Sequence, residues 1–482
     1  MKTIKIIPSK SDAHRAYIAA ALSGADFSRV VCEETSEDIE ATKRCMSAMM
    51  DVEGAEDTMA DLYCGESGST LRFLLPVVGA LGIRGVFHPE GRLAERPISP
   101  FKEELCAHGM KIDVVRASDE KINGMRDGTA NIGDGTAEAL ISCDGKLEPG
   151  TYRLPGNVSS QFISGLLFAL PLLDGDSEIY VEGKLESSPY VDMTMETLGR
   201  FGIAIDDETD MRFVVSDDDG NTRFVQSRIF RIKGNQKYSA PKKYIVEGDW
   251  SNAAFWLAIG AIGNEPIRVE GLRIGSMQGD ERVLDVLDVF GVKFSVGEDR
   301  KSRIEGSNCY VDVYPSRDCM QGIVWDASET PDMVPAIALM GAFAKCETRI
   351  VNAARLRLKE SDRLRTVTET LNALGIKVEE FNDGLLVHGV QSRANENGCD
   401  NANGYNDASE YNASESVRHL NSATLESYGD HRIAMMAAAA SVSMAGTDNK
   451  IKLEGYVAVN KSYPAFFDIM KKLGLDSNLE LL

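Results

Sequence analysis

The chain has 482 residues, of which 43% are hydrophobic and 26% charged, with a formal net charge of −22. Such a length exceeds one hydrophobic core and asks for two or more domains, with the apolar content of an ordinary globular protein. The acidic balance excludes nucleic acid and anionic membrane surfaces as general partners, so any local cluster of Arg and Lys carries information. No apolar run reaches the roughly 18 residues of a membrane span, and the strand-like residues 1–8 lack the apolar core of a signal peptide. The chain is therefore expected in the cytoplasm. Nine cysteines are scattered without a Cys-x-x-Cys, and six histidines without a His-Glu-x-x-His. Neither a disulfide framework nor a zinc site is expected.

Twelve apolar-periodic segments predict helices near 14–24, 38–50, 69–82, 99–108, 159–172, 191–201, 251–263, 281–290, 332–345, 361–374, 431–445 and 464–473. Short β-branched runs lie between them, such as Arg212-Phe213-Val214-Val215, Ile267-Arg268-Val269-Glu270 and Ile376-Lys377-Val378. The alternation is that of an α/β protein. Five helices end alike, at His108-Gly109-Met110, Phe201-Gly202-Ile203, Phe290-Gly291-Val292, Leu374-Gly375-Ile376 and Leu473-Gly474-Leu475. A left-handed Gly there stops the helix and turns the chain into a strand. These endings recur at intervals of roughly 80–100 residues, so helices in pairs make six repeated units. The first unit has no such Gly, its second helix running into Met49-Met50-Asp51.

Two stretches interrupt the repeat. Ser216-Asp217-Asp218-Asp219-Gly220-Asn221 reads as the tip of an extended hairpin. Residues 392–427, rich in Asn, Ser, Ala and Glu, cannot bury enough surface to offset their ordering entropy. They are expected to form a mobile surface insertion without a catalytic role.

Charged and hydroxyl groups gather where helices begin. Pro8-Ser9-Lys10-Ser11-Asp12-Ala13-His14-Arg15 opens the first helix and offers two cations and a hydroxyl at a helix N-terminus, an anion site. It is not a phosphate-binding P-loop, because Gly-x-x-x-x-Gly-Lys-Ser/Thr is absent. Gly65-Glu66-Ser67-Gly68-Ser69-Thr70-Leu71-Arg72 is a turn whose Gly68 admits close backbone approach, although most Gly/Ser turns only turn. Arg96 stands just before a helix expected to hold Pro97 in its first turn. Ser159-Ser160-Gln161 places three polar groups ahead of an apolar helix, and Ser187-Ser188-Pro189-Tyr190 repeats the theme.

Asp332, before the apolar Met333-Val334-Pro335-Ala336, reads equally as a plain N-cap or as a base. In Lys359-Glu360-Ser361-Asp362-Arg363 the Lys and the Arg share a helix face, with Glu360 between them. Taken alone, that segment reads first as a solvated ladder of ion pairs. In Tyr428-Gly429-Asp430-His431-Arg432, Asp430 is expected to cap while His431 and Arg432 face outward. Lys461 precedes the last helix. If helix N-termini converge, Lys10, Arg15, Arg96, Lys359, Arg363, Arg432 and Lys461 build one cationic cleft for small anionic substrates. With no Gly-x-Gly-x-x-Gly cradle after a strand, the chemistry rests on side chains.

In order and spacing these motifs resemble the 3-phosphoshikimate 1-carboxyvinyltransferase (EPSP synthase) family of enolpyruvyl transferases. The match runs from about residue 5 to 475, with 392–427 outside it. The resemblance implies two similar domains, each of three βαβαββ repeats, with the active site in the cleft between them. One domain would be residues 10–247, the other 1–9 with 248–482. It further implies transfer of the enolpyruvyl group of phosphoenolpyruvate to the 5-hydroxyl of shikimate 3-phosphate, with release of phosphate and no cofactor or metal. The expected ligands of shikimate 3-phosphate are Lys10, Ser11, Arg15, Ser159, Ser160, Gln161, Ser187, Tyr190, Asp332 and Lys359. Those of phosphoenolpyruvate are Lys10, Gly68, Arg96, Gln161, Arg363, Arg432 and Lys461. Asp332 would accept the 5-hydroxyl proton and Glu360 would protonate the methylene carbon. A monomer is expected. The resemblance breaks at Glu66 and Arg355, where other members often carry Asn. Two rivals stand beside it. The sister transferase acting on UDP-N-acetylglucosamine carries a catalytic Cys where this chain reads Pro89-Glu90-Gly91-Arg92-Leu93-Ala94-Glu95. A non-catalytic anion-binding protein would need the cations but neither Asp332 nor Glu360.

Overall fold

A computed structural model describes residues 1–54, 58–116, 139–216, 221–298, 309–389 and 420–482. The chain divides into two compact units, Met1–Ile7 with Glu247–Leu482, and Pro8–Val246. Each has its own hydrophobic core.

The Pro8–Val246 unit begins with α1 (Lys10–Leu22), β2 (Val30–Val31) and α2 (Glu37–Val52), following β1 (Lys2–Lys5) of the other unit. Next come β3 (Met59–Gly65), α3 (Gly68–Leu81), β4 (Arg84–Pro89), α4 (Phe101–Ala107), β5 (Lys111–Arg116) and β6 (Ala139–Asp144). Then follow β7 (Thr151–Pro155), α5 (Ser160–Ala169), β8 (Ser177–Glu182), α6 (Ser188–Arg200), β9 (Ile205–Ser216), β10 (Asn221–Ile232) and β11 (Tyr244–Ile245). Two sheets of four strands result, in the orders β3-β4-β6-β5 and β7-β8-β10-β9. In each, two parallel strands joined by a crossover helix carry an antiparallel hairpin at one side. That is one βαβαββ repeat.

The other unit follows the same rule. After α7 (Trp250–Ile262) come β12 (Ile267–Leu272), α8 (Val283–Phe290), β13 (Phe294–Glu298) and β14 (Cys309–Val313). The next repeat has β15 (Val324–Asp326), α9 (Val334–Ala342), β16 (Thr348–Val351), α10 (Arg363–Ala373), β17 (Val378–Phe381) and β18 (Gly384–Val387). The last has β19 (Ala423–Glu426), α11 (His431–Val442), β20 (Ile451–Glu454), α12 (Phe466–Lys472) and β21 (Leu479–Leu481). Its sheets run β1-β12-β14-β13, β15-β16-β18-β17 and β19-β20-β21. β1 is parallel to β12, with Lys2 opposite Ile267, so the whole Pro8–Val246 unit is inserted between the first strand of a repeat and its helix α7.

Two of the six repeats are shorter than βαβαββ. β2 pairs only with β11, in parallel, and α2 is followed by β3 of the next repeat. A correction falls on the second helix of this repeat, expected to lack a closing Gly: α2 runs on to Val52, and Gly54, at φ 78°, closes it as the other glycines close theirs. In the last repeat the three strands are all parallel. The five closing glycines all take positive φ, from 63° at Gly474 to 95° at Gly109.

Helices alternate in character. α1, α3 and α5 in one unit, and α7, α9 and α11 in the other, are buried on nearly every side. A helix that is apolar all round must lie inside. α2, α4, α6, α8, α10 and α12 bury one stripe and face water with the other. No described helix is long and apolar enough to cross a membrane. Among the described residues seven cysteines are free and Cys346 is disulfide-bonded, which the scattered cysteine spacing did not lead one to expect.

The hairpin of β9 and β10 forms, Ser216 pairing with Asn221, while its acidic tip at 217–220 lies outside the described residues. So do residues 390–419, most of the expected insertion. Its last residues are a correction. Ala423–Glu426 is a strand in register with Ile451–Glu454, and Leu420 and Leu425 are buried at 1% and 4% exposure. Two apolar residues spaced by polar ones suffice for a strand whose partner lies across a helix. Accordingly, Leu425→Ala is predicted to lower unfolding free energy by about 2–4 kcal/mol in denaturant titration. Removal of the strand Ala423–Glu426 is predicted to lower the midpoint further.

Candidate functional site

Five of the six buried helices are capped by a side chain, and the kind of cap differs between the units. Ser9, Ser67 and Ser159 accept backbone N–H groups at the starts of α1, α3 and α5. Asp249 and Asp430 do so for α7 and α11. A neutral Ser leaves the partial positive charge of the helix start available to an anion, whereas an Asp cap neutralises it. Where the caps are Asp, cationic side chains must supply the positive field.

In the Glu247–Leu482 unit they gather around Arg363. This guanidinium is 1% exposed and binds three carboxylates. Nη1 donates to Asp332 at 2.6 Å and Nη2 to Glu360 at 2.7 Å. Nε and Nη2 form a fork on Asp430, at 2.8 and 3.2 Å. Asp430 is fully buried and also accepts from Ser361 Oγ at 2.9 Å and from the Arg432 N–H at 2.9 Å. Lys359 Nζ stands 3.4 Å from Asp332, and Arg432 Nη2 stands 3.6 Å from its other oxygen. Three cations thus face three carboxylates.

Burial alone would raise Asp332, but Lys359, Arg363 and Arg432 outweigh it and hold its carboxyl well below the ordinary range. Lys359 is lowered, first by burial and then by Arg363, against the pull of Asp332 and Glu360. Burial also opposes the charge of Arg363, and Asp430, Glu360 and Asp332 overcome it. Asp280, fully buried, is pushed up to about 6 by burial and by Asp332. Lys461 Nζ donates to the Gly429 carbonyl at 2.7 Å, beside the Asp430 cap.

Two readings of these residues change. Asp332 does not cap: it sits in a 3₁₀ turn, Pro331–Met333, makes no cap bond, and spends its oxygens on cations. His431 and Arg432 do not face outward; they are 2% and 3% exposed, because α11 is buried on every side. Arg432 lies 5.9 Å from the Phe255 ring, and its Nε and Nη1 have no hydrogen-bond partner among the described residues.

In the Pro8–Val246 unit, Lys10 begins α1 and pairs with Asp38 at 2.8 Å. Arg15, buried, donates to Thr194 Oγ1 and to the carbonyls of Ser11 and Tyr190. Burial lowers its pKa to about 10. These bonds tie α1 to the first turns of α6. Ser187 just before α6 has φ of 55°, a strained backbone for a residue with a side chain. Gly68 begins α3, and a Cβ there would lie 2.6 Å from Arg72 Nη1 and 3.1 Å from Arg96 Nη1. Two guanidinium groups therefore close over the first turn of α3, which only Gly permits. Arg72 Nη1 donates to Gln161 Oε1 at 2.9 Å, and Gln161 Nε2 to Ser69 Oγ at 3.0 Å. Ser160 is the first residue of α5, next to its cap Ser159.

Pro97 is not in a first helical turn, since α4 begins at Phe101 with Pro100 at its N-cap. Glu66 lies against Gly91, where an added Cβ would come within 2.7 Å of its carboxyl carbon. Arg355 lies in a 3₁₀ turn, Ala354–Leu358, and contributes to lowering Lys359. Asp430 as the clamp of Arg363, and Asp38 as the partner of Lys10, escaped the sequence reading. The only hint was an acidic residue at a helix start, which usually means a cap.

A solved EPSP synthase from Acinetobacter baumannii overlays on the chain with a TM-score of 0.64 at 22% identity, covering 98% of this chain and 95% of that one. The fold is thus the two-domain α/β fold of the enolpyruvyl transferases. The EPSP synthase family profile matches residues 1–470. A 3-phosphoshikimate 1-carboxyvinyltransferase of Clostridium kluyveri is 36% identical over 98% of this chain and 94% of its own length. One of Clostridium acetobutylicum is also 36% identical, over 98% and 95%. The chain belongs to the EPSP synthase family.

Two measurements follow. Asp430→Asn is predicted to destabilise the protein by about 3–5 kcal/mol, the cost of leaving a buried charge without its partner, read from denaturant titration. The second concerns Asp332, whose folded pKa lies below its unfolded one, so the unfolded state binds more protons between the two values. The stability it contributes is therefore full above roughly pH 4 and is lost as the pH falls further. The stability gap between wild type and Asp332→Asn is predicted to shrink in that direction.

Proposed function

We propose that the chain transfers the enolpyruvyl group of phosphoenolpyruvate to the 5-hydroxyl of shikimate 3-phosphate, the step that leads toward chorismate and the aromatic amino acids, and that Asp332 and Glu360 move the protons. The observation that carries the reading is Asp332, a carboxylate held ionised by Lys359, Arg363 and Arg432, with Nε and Nη1 of Arg432 unpartnered among the described residues. A buried guanidinium in that state is a receptor for an anion.

The shikimate 3-phosphate set is Lys10, Ser11, Arg15, Ser159, Ser160, Gln161, Ser187, Tyr190, Asp332 and Lys359. The phosphoenolpyruvate set is Lys10, Gly68, Arg96, Gln161, Arg363, Arg432 and Lys461. In the free protein Asp332 is a poor base, because three cations stabilise its charge. Once the substrates' phosphate and carboxylate groups engage those cations, the stabilisation is shared and Asp332 becomes more basic. It then takes the 5-hydroxyl proton as that oxygen bonds to C2 of phosphoenolpyruvate. Glu360, which takes up a proton from solvent once the substrate anion draws the Arg363 guanidinium from it, gives that proton to the methylene carbon, making a methyl group. The tetrahedral adduct collapses when the bond from C2 to the phosphate oxygen breaks. Phosphate leaves and the methyl group returns a proton to the protein. Each step moves a proton or displaces phosphate, and none needs an oxidant or reductant. The enzyme acts in the cytoplasm, as a monomer.

The test is phosphate release. With both substrates the wild type is predicted to turn over. With UDP-N-acetylglucosamine in place of shikimate 3-phosphate it is predicted not to, which separates the sister activity. No release with either acceptor would leave only an anion-binding protein. Glu360→Gln is predicted to fold normally and to lose about 10²- to 10⁴-fold in kcat, the range of a lost general acid or base; near wild-type turnover would remove Glu360 from the mechanism.

A further inference from the structure

A line of buried side chains in the Pro8–Val246 unit takes no part in the chemistry above. His14 Nδ1 lies 2.7 Å from Thr42 Oγ1, which lies 2.6 Å from Thr70 Oγ1. The Thr70 hydroxyl donates to Ser67 Oγ over 2.7 Å. Ser67 also accepts the Thr70 N–H at 3.3 Å, as the cap of α3. Exposure is 1% for His14 and Ser67 and 0% for both threonines. The line joins α1, α2 and α3 and ends one residue before Gly68.

Its direction follows from counting protons. A hydroxyl has one proton to give. Thr70 gives its proton to Ser67, so it can only accept from Thr42. Thr42 then gives to Thr70 and can only accept from the ring. His14 must therefore carry its proton on Nδ1. Burial, then Lys10 and Arg15, hold its pKa well below the ordinary value, so the ring is neutral. Its Nε2, a bare lone pair, has no hydrogen-bond partner among the described residues.

What the line fixes is the start of α3, where Arg72 and Arg96 close over Gly68. The same helix α2 carries Asp38 one turn before Thr42, and Asp38 holds Lys10. One face of α2 thus sets both the Lys10 cation on α1 and the first turn of α3. We propose that His14, Thr42, Thr70 and Ser67 form a one-way hydrogen-bonded network that positions the Gly68 turn for phosphoenolpyruvate, with Thr42 as its central positioning residue. This rests on the proposed function for the identity of the anion, but not for the direction of the network.

The experiment compares Thr42→Val, which keeps the shape and removes the hydroxyl, with Thr42→Ser, which keeps the hydroxyl. In wild-type enzyme that turns over, Thr42→Val is expected to raise KM for phosphoenolpyruvate about tenfold, the factor set by roughly 1.4 kcal/mol, with kcat and the shikimate 3-phosphate KM near wild type. Thr42→Ser is expected to restore the phosphoenolpyruvate KM. A Thr42→Val enzyme with unchanged KM overturns the proposal. So does a general loss of activity and melting temperature that Thr42→Ser does not repair, since that is the signature of packing alone. The second readout needs no turnover: long-range ¹⁵N–¹H correlation of the His14 ring, assigned with His14→Gln, is expected to show a neutral Nδ1–H tautomer that changes in Thr42→Val. An Nε2–H or doubly protonated ring at pH 7 overturns it, whatever the reaction proves to be.

Discussion

Arg363 is the constraint on which the Glu247–Leu482 unit depends. A guanidinium removed from water must satisfy its charge inside the protein, and here Asp430, Asp332 and Glu360 all do so. These anchors are not equivalent. Asp430 is fully buried and meets Arg363 with two bonds, fixing the plane of the fork. Asp332 and Glu360 are partly exposed and bind through one oxygen each. Asp430 therefore anchors the guanidinium, and under the proposed function Asp332 and Glu360 are the partners that would exchange their ion pairs for an arriving anion.

The same logic accounts for the division between the units. Ser-capped helices α1, α3 and α5 keep their N-terminal dipole for a ligand, and beside them stand Lys10, Arg72 and Arg96. Asp-capped α7 and α11 have spent theirs, and the positive field comes from Lys359, Arg363 and Arg432. One repeated αβ plan thus yields two kinds of electropositive helix start. The choice turns on a single residue at each helix start.

Local features were legible in the sequence because they rest on local physics. The endings at Gly109, Gly202, Gly291, Gly375 and Gly474 were readable because a left-handed residue at a helix end has few alternatives to Gly. Gly54, which closes α2 in the same way, was hidden because the apolar periodicity ends at Met50, two residues short of the helix end at Val52. Long-range features were not legible from periodicity. The pairing of Lys2 with Ile267 and the gathering of Asp332, Arg363 and Arg432 depend on contacts between distant segments. Burial of His431 and Arg432 was hidden because polar residues at a helix start usually face water, and only the all-round burial of α11 overrides that. The strand Ala423–Glu426 was lost in its Asn- and Ser-rich surroundings. In each case the motif's order in the chain was visible, while its partner was not.

The central claim is that substrate anions loosen the hold of three cations on Asp332. Carboxyl ¹³C titration of Asp332, assigned by its loss in Asp332→Asn, tests this most directly, first in the free protein and then saturated with shikimate 3-phosphate alone. The account predicts a pKa well below that of an ordinary aspartate in the free protein, moving upward when the ligand binds. A carboxyl that titrates like an ordinary aspartate in the free protein, or one that shikimate 3-phosphate leaves unmoved, would contradict it.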